Sequence, residues 1–551
     1  MKKYSVLAFL LFVTVLLSIV VFHSSMNLVE RTTPPSEMWG RDMTVGETDF
    51  RKIPTEYVEG NYLNLIYASA DSFQKVLVDS KGVIANSETI RIKGYEPTKL
   101  VKYQSLNNLL FWTENYDLYY SDLESRERTK VKLLSEVQDF ELTGNNNELL
   151  ISVAEKDKLA VYGFSGGVIS KLSEDTPVSN IYYIDAAKDN SGSLFIAGVS
   201  RLSPTDYELR LFSFETGTGK LTERISPAII ENMYTTREGS NSINNLQVAF
   251  DNKDIYVFYE IGKNSSQGMV ARTYIGRLPK NQQGIARVNF DRLMLNNESA
   301  DKEVYISSLS CADGKSGKLH AVIITPLKAS VKREGSELMF ITIEEGKVVY
   351  QSIVSNTGAW NRFAILEKID GDYMATFLQT LGGIQFRINV AGTGAEFKKN
   401  LNKITFDDIK YSVMDTVGSY VFSFFSIFIN LLVSAPLLFW PIAVDFFEWR
   451  TFLRKPLLTL HIGVVIEASA MYFSIMRVYA NSESVSFMPP ILQHPFSPLA
   501  VLLITTLFSY IIVRLFRKDR VDMSYFPELA LFMLVHNVFV YFLYTAYIAR
   551  F

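Results

Sequence analysis

Apolar residues follow two different rhythms along this chain. Residues 4–22 form one apolar run of about 19 positions behind Met1-Lys2-Lys3, enough to cross a bilayer's hydrocarbon core as a helix. Residues 417–551 are again mostly apolar and divide into stretches at 417–440, 457–479, 498–516 and 527–549, each near the roughly 20 residues a span requires. The intervening region has a shorter rhythm. Runs of Val, Ile, Tyr, Phe and Leu alternate there with clusters of Gly, Asn, Asp and Ser, the pattern of successive β-hairpins with no sustained helical period. The pattern predicts an N-terminal anchor at 1–22, a linker at 23–48, an all-β domain at 49–405, a second linker at 406–416 and a four-helix transmembrane domain at 417–551.

One unit recurs within the β region: an apolar strand, a turn of Asp, Asn or Gly, and a second apolar strand. Copies fall at 71–78, 107–112, 145–151, 189–196, 251–257, 313–322 and 370–374. Their spacing, roughly 36 to 62 residues, brackets the repeat of a four-stranded propeller blade. Asp, Asn and Gly supply the backbone conformations that reverse each strand. The copy Asp189-Asn190-Ser191-Gly192-Ser193-Leu194-Phe195 resembles the turns of bacterial sensor-type β-propellers. That resemblance implies a seven-bladed ring, with six or eight blades or paired β-sandwiches as alternatives. An N-terminal segment is expected to close the last blade, and 53–58 is the strand candidate for it.

Charge in the short loops sets an orientation. Arg450, Arg454 and Lys455 follow the first C-terminal span, and Arg514, Arg517, Lys518 and Arg520 follow the third, whereas 481–497 has no Lys or Arg. Basic loops stay in the cytoplasm, and Lys2 and Lys3 demand the same arrangement. The N-terminus is therefore expected inside and the β domain outside, with the C-terminus outside as well. The first span lacks an Ala-x-Ala-like site, which favours an uncleaved anchor over the alternative of a signal peptide. Pro456 and Pro498 suit helix starts, with Ser497 as an N-cap. Trp440, Trp449, Tyr479 and Tyr547 suit membrane interfaces.

Composition removes several function classes. A formal net charge of -3 gives no basic footprint for nucleic acid. One cysteine, Cys311, excludes internal disulfides and multi-cysteine metal sites, which for an exported domain suits a bacterial cell-surface protein. The five histidines include no pair at helical spacing. His320 lies in an apolar strand and reads as a packed strand residue. The expectations are no catalytic residues, no metal, no cofactor and no enzymatic activity.

The membrane block carries the remaining candidates. Glu467 and His536 fall near the centres of two spans that run in the same direction, and Asn430, Thr506 and Asn537 fall near the centres of theirs. Ionisable groups in hydrocarbon are costly and face the bundle interior, as functional groups or as hydrogen-bonded links between helices. Glu467 and His536 are expected to relieve each other's burial by contact. The plan of one helix, an exported β domain and a helix bundle looks like that of the YidC membrane insertases. The chain departs from that family in lacking a long cytoplasmic hairpin, a basic C-terminal tail and an arginine central to the second span. The function expected is a membrane-anchored binding or sensing protein, its partners the lipid bilayer, an external ligand and a second membrane protein. A component of a transport or assembly system, or a surface enzyme, are alternatives.

Overall fold

The computed structural model describes residues 3–48, 52–69, 71–145, 148–189, 191–203, 206–215, 217–230, 241–265, 268–282, 284–295, 306–312, 317–330, 333–446, 456–480, 485, 488–519 and 525–548. Lys2, Asn190, Trp449, Arg450, Arg454, Lys455, Arg520, residues 481–484 and parts of the turn copies at 145–151 and 313–322 lie outside the described residues, as do the side chains of Trp440 and Tyr547. The chain forms a β unit, Pro34–Ala329 with Arg333–Asn402, and a helical unit from Met1–Thr33 and Lys403–Phe551. Its helices are α1 (Lys3–Thr32), α2 (Ala395–Leu401), α3 (Phe406–Phe446), α4 (Pro456–Tyr479), α5 (Pro490–Gln493), α6 (Ser497–Lys518) and α7 (Tyr525–Ile548).

Seven antiparallel sheets form the β unit, each with a path of four strands. The first strands are Thr55–Glu59 in blade 1, Leu100–Leu106 in blade 2, Val137–Asn145 in blade 3 and Ile181–Lys188 in blade 4. Blades 5 to 7 begin with Asn241–Phe250, Ser307–Ala312 and Asn361–Ile369. Each first strand touches the first strand of the next blade, and blade 7 returns to blade 1. The β unit is a seven-bladed propeller. Its core is a series of apolar clusters in which neighbouring blades share their faces; one joins Leu63, Leu65 and Val76 of blade 1 to Leu378, Ile388 and Val390 of blade 7.

Six of the seven expected turns join the first strand of a blade to the second. In blade 4, Asp189 accepts the N–H groups of Ser191 and Ser193, both at 2.9 Å, and Gly192 takes φ +88°. Asp251 accepts Lys253 and Asp254 N–H at 2.7 Å in the same way. The copy at 71–78 is corrected: Asp71 lies between the second and third strands of blade 1. The equivalent hairpin there turns at Gly60, φ +59°, between Thr55–Glu59 and Tyr62–Ala68.

Ring closure also differs from expectation. The closing strand is Met43–Thr48, inside the segment read as a linker, and it pairs antiparallel with Gln385–Gly392 of blade 7. The candidate at 53–58 overlaps the first strand of blade 1 instead. The closing strand bulges between Thr44 and Gly46, and Gly46 has no room for a side chain: a Cβ there would lie 2.0 Å from the Tyr67 hydroxyl. Closure thus fastens blade 7 with a strand that precedes blade 1 in the chain, tying the two ends of the ring together.

Among the described residues, five helices of the second unit are long and apolar enough to cross a membrane: α1, α3 over Phe406–Leu432, α4 over Leu460–Tyr479, α6, and α7 over Pro527–Tyr544. They alternate in direction. Ser5 N–H meets Asp519 at the end of α6 (2.5 Å), and His23 contacts the Leu543 carbonyl late in α7 (3.0 Å). Asn27 and Arg31, at the far end of α1, meet Thr416 and Asp415 early in α3. Thus α1 is antiparallel to α3 and α6 and parallel to α7. Ser497 is not the N-cap of α6; its hydroxyl donates to the Ile491 carbonyl at 2.7 Å, and Phe496 occupies the cap position.

Candidate functional site

Two polar constellations and one cleft stand out, and each belongs to a single unit. In the helical unit, residues of three helices, α3, α4 and α7, converge on Asn537 of α7. Its amide nitrogen donates to Glu467 Oε1 at 2.7 Å and to the Met533 carbonyl at 2.8 Å, and its oxygen accepts from Asn430 Nδ2 of α3. Glu467 and Asn537 are fully buried. His536, the preceding residue, contacts Thr506 Oγ1 of α6 at 3.2 Å and stacks on Phe532. The Glu467–His536 pairing expected from depth is therefore replaced by two separate links. Consecutive helical residues diverge by about 100° around the axis, so Asn537 faces α4 while His536 faces α6. Glu467 Oε2, His536 Nδ1 and Ser509 Oγ are buried without a hydrogen-bond partner.

At one end of the same bundle, Glu528 is fully buried beneath two cations. Arg514 Nη1 lies 3.3 Å from its carboxylate, and Arg517 donates to the other oxygen. Lys518 lies over the Tyr4 ring, 5.1 Å from its centroid. The start of α1, the end of α6 and the start of α7 thus share one basic end.

In the propeller, polar side chains on the first strands are repeated from blade to blade. Thr55 Oγ1 of blade 1 accepts Ser105 N–H of blade 2 (2.8 Å), and Gln104 Oε1 of blade 2 accepts Leu142 N–H of blade 3 (3.0 Å). Asp139 of blade 3 accepts Ile184 N–H of blade 4 (2.8 Å), and Asp185 of blade 4 accepts Val248 N–H of blade 5 (2.6 Å). Gln247 of blade 5 accepts Cys311 N–H of blade 6 (3.0 Å), and Ser310 of blade 6 accepts Leu366 N–H of blade 7 (3.2 Å). A first strand has sheet partners on one edge only, so its inward N–H groups need acceptors from elsewhere. The preceding blade supplies them at six junctions.

A charged group sits within this ring of staples. Lys102 Nζ contacts Asp139 at 3.0 Å and Glu141 at 2.9 Å, and Gln104 donates to Glu141. Burial works against the Lys102 charge, but Asp139 and Glu141 overcome it and hold the ammonium above the ordinary lysine range. Burial, with Glu141 adding to it, pushes the Asp185 carboxyl well above its usual range. Burial likewise raises the Cys311 thiol, which makes it a poor nucleophile. His320 packs on Phe340 with its ring 3.2 Å from Thr342 Oγ1. Sequence reasoning missed these staples. Their one signal is a polar residue near the middle of each first strand, which means little until the blade register is known. Among the described residues no group of three or more His, Cys, Asp or Glu is placed to hold a metal.

The cleft opens on the propeller where the first strands of blades 3, 4 and 5 begin, with a volume of about 830 Å³. Lys156, Arg201, Tyr182 and Tyr207 are among the residues that line it.

No protein-family model matches this sequence, and no curated protein matches it. Solved structures with a similar fold include a PL25 polysaccharide lyase, an ulvan lyase bound to -[GlcA(1-4)Rha3S]-, at 10% identity over 68% of this chain and 99% of that one, TM-score 0.41. Another is polysaccharide lyase Uly1, at 10% identity over 63% and 91%, TM-score 0.38. A third is the Penicillium chrysogenum alpha-L-arabinanase complexed with arabinobiose, at 9% identity over 47% and 93%, TM-score 0.31. Such likeness concerns fold alone. It nevertheless corrects the expectation of no enzymatic activity. Propellers among these similar folds are lyases and a glycan hydrolase, so missing catalytic signatures do not make this chain a non-enzyme.

Proposed function

We propose that this chain is a multi-pass protein of the cell membrane that holds its propeller outside the cytoplasm to recognise an external ligand or partner protein. The observation that carries the reading is the basic end of the helix bundle. The start of α1 meets Lys518 and Asp519 at that end, where Arg514 and Arg517 hold Glu528 of α7, and the alternating helix directions agree with five crossings from an inside N-terminus. The predicted cytoplasmic loops are only about ten residues each, too short to fold alone, so any signal would pass to a second membrane protein. Topology fusions test the placement. A reporter active only outside the cytoplasm should work when fused at Phe551 and when inserted at the exposed turn of Gly284. Inactivity of either fusion in a stably expressed protein refutes it.

A second reading, a component of a transport or assembly system, draws on the buried chain Asn430–Asn537–Glu467. Affinity capture of the full chain from detergent extracts separates the two. Stoichiometric recovery with a permease or translocation subunit favours the second reading.

A further inference from the structure

The cleft at blades 3 to 5 is built on backbone connections that link the segments carrying two of its lining cations, Lys156 and Arg201. Asn180 N–H donates to the Lys156 carbonyl at 3.1 Å, and Arg201 N–H donates to the Asn180 carbonyl at 3.2 Å. Asn180 takes φ +54°, a left-handed conformation that asparagine tolerates and β-branched residues resist. The Arg201 guanidinium is further tied by Nε to the Ser203 carbonyl at 3.2 Å. No Asp or Glu is among the described residues that line the cleft. Asp206, close in sequence to Ser203, accepts the Ser203 hydroxyl at 2.8 Å.

Beside the cations lies an aromatic pair. The Tyr182 and Tyr207 rings are 5.9 Å apart at 46°, with Tyr207 buried and Tyr182 half-buried. The Gln138 and Asn180 amides add hydrogen-bond donors and acceptors. Cations without lining carboxylates select an anion. Tyrosine rings beside amide groups suit a flat, hydroxyl-rich ring, which offers apolar faces and polar edges together.

We infer that this cleft binds an anionic polysaccharide, one whose sugar units carry carboxylate or sulfate groups. The inference rests on the proposed role of the propeller as the recognition domain, and it names the class of ligand.

The test uses the full chain in nanodiscs of zwitterionic phosphatidylcholine, with binding measured by calorimetry. The probes are polygalacturonate, dextran sulfate, neutral dextran and polyglutamate. Polygalacturonate or dextran sulfate should bind saturably, and the tighter of the two names the anion. Neutral dextran should bind at least tenfold more weakly, and so should polyglutamate, which has the charge but no sugar. Lys156→Ala combined with Arg201→Ala changes two exposed side chains and should lower affinity at least tenfold. Lys220→Ala, an exposed cation of blade 4 outside the cleft, should leave it unchanged. Absence of binding by both anionic polysaccharides overturns the inference. Equal binding of polyglutamate overturns the saccharide class, and equal loss in Lys220→Ala shows that the cleft is not the site. None of these outcomes alters the topology fusions, so failure here is distinct from failure of the membrane placement.

Discussion

The propeller axis and the centre of the helix bundle both bury polar side chains, but they use them for opposite purposes. In the propeller, backbone groups on the inward edges of the first strands lack sheet partners, and side chains such as Gln104, Asp139 and Gln247 are committed to capping them. In the bundle, each helix satisfies its own backbone, so Asn430, Glu467 and Asn537 are left to satisfy one another. The first arrangement is periodic because blades repeat. The second has no period, because it serves one point where three helices meet.

The largest effect should come from opening the ring. Replacing 43–48 with a flexible linker of equal length removes the strand paired with Gln385–Gly392 and leaves the outer edge of that strand unpaired. The expected loss exceeds about 5 kcal/mol, the scale of a domain's whole stability. Circular dichroism of the purified protein should show the β signal lost in a broad transition at much lower temperature. An unchanged sharp transition would show that closure does not depend on this strand.

Next is Asp139→Ala, which strips a staple and a partner of Lys102 in one step. Removing one member of a buried charged group costs about 3–5 kcal/mol, because the remaining charge loses compensation. Denaturant unfolding should place Asp139→Asn between this variant and the parent. Equality of the two variants would show that the whole cost is the lost charge opposite Lys102 and that the staple to Ile184 adds nothing.

Glu260 sharpens the contrast through pH. Burial raises its carboxyl to about 7, although the Ser308 N–H at 2.7 Å favours the ionised form. A folded-state value above the ordinary 4.5 means that the propeller keeps its full stability at pH below that value. That stability is lost as pH rises toward 7, by at most on the order of 3 kcal/mol. Glu260→Gln should flatten this part of the stability–pH curve, gaining most on the parent near pH 7.5 and nothing near pH 4. A curve that keeps its slope in the variant would assign the dependence to other carboxyls, such as Asp185.

In the bundle, Glu467→Gln should remain folded because an amide oxygen still accepts from Asn537. Glu467→Leu should cost about 1–3 kcal/mol by leaving the Asn537 amide unsatisfied. Thermal stability in detergent distinguishes them, and equal melting temperatures would remove Asn537 from its place at the centre of the polar layer.

Much of this organisation was legible in the chain, and the parts that were not share a cause. The turn copies at 107, 145, 189, 251, 313 and 370 announced six blades, because tight reversals depend on local turn chemistry. Blade 1 was misread because Asp71-Ser72 imitates that chemistry, whereas the true reversal is the brief Glu59-Gly60-Asn61. The closing strand escaped notice because Met-Thr-Val-Gly-Glu-Thr is polar and bulged at Gly46, and only its partner, more than 330 residues later, makes it a strand. The staples were invisible for the same reason: each accepts from a backbone group in another blade. In the bundle, hydropathy located the helices, and depth placed Glu467 level with His536. Depth says nothing of rotation about the helix axis, and rotation sends His536 to Thr506.

The smallest effect tests the comparison most directly. Thr55 and Ser310 staple different junctions, between blades 1 and 2 and between blades 6 and 7, and share no partner. Thr55→Val and Ser310→Ala each remove a neutral staple, Thr55→Val with it a 3.3 Å bond from the Ser105 hydroxyl, so each should cost about 1 kcal/mol. If the axial ring is a set of independent rungs, the double variant should lose the sum within about 0.5 kcal/mol. Asn430→Ala and Glu467→Leu both act on Asn537, so in the bundle the second change should cost clearly less or more than it does alone. Chemical unfolding for the propeller pair and thermal unfolding in detergent for the bundle pair measure both couplings. Strong coupling between Thr55 and Ser310 would mean that the ring transmits strain through the two blades between them, and additivity in the bundle would mean that its polar layer is a set of separate contacts. Either result would reverse the contrast between a periodic ring of staples and a single shared node.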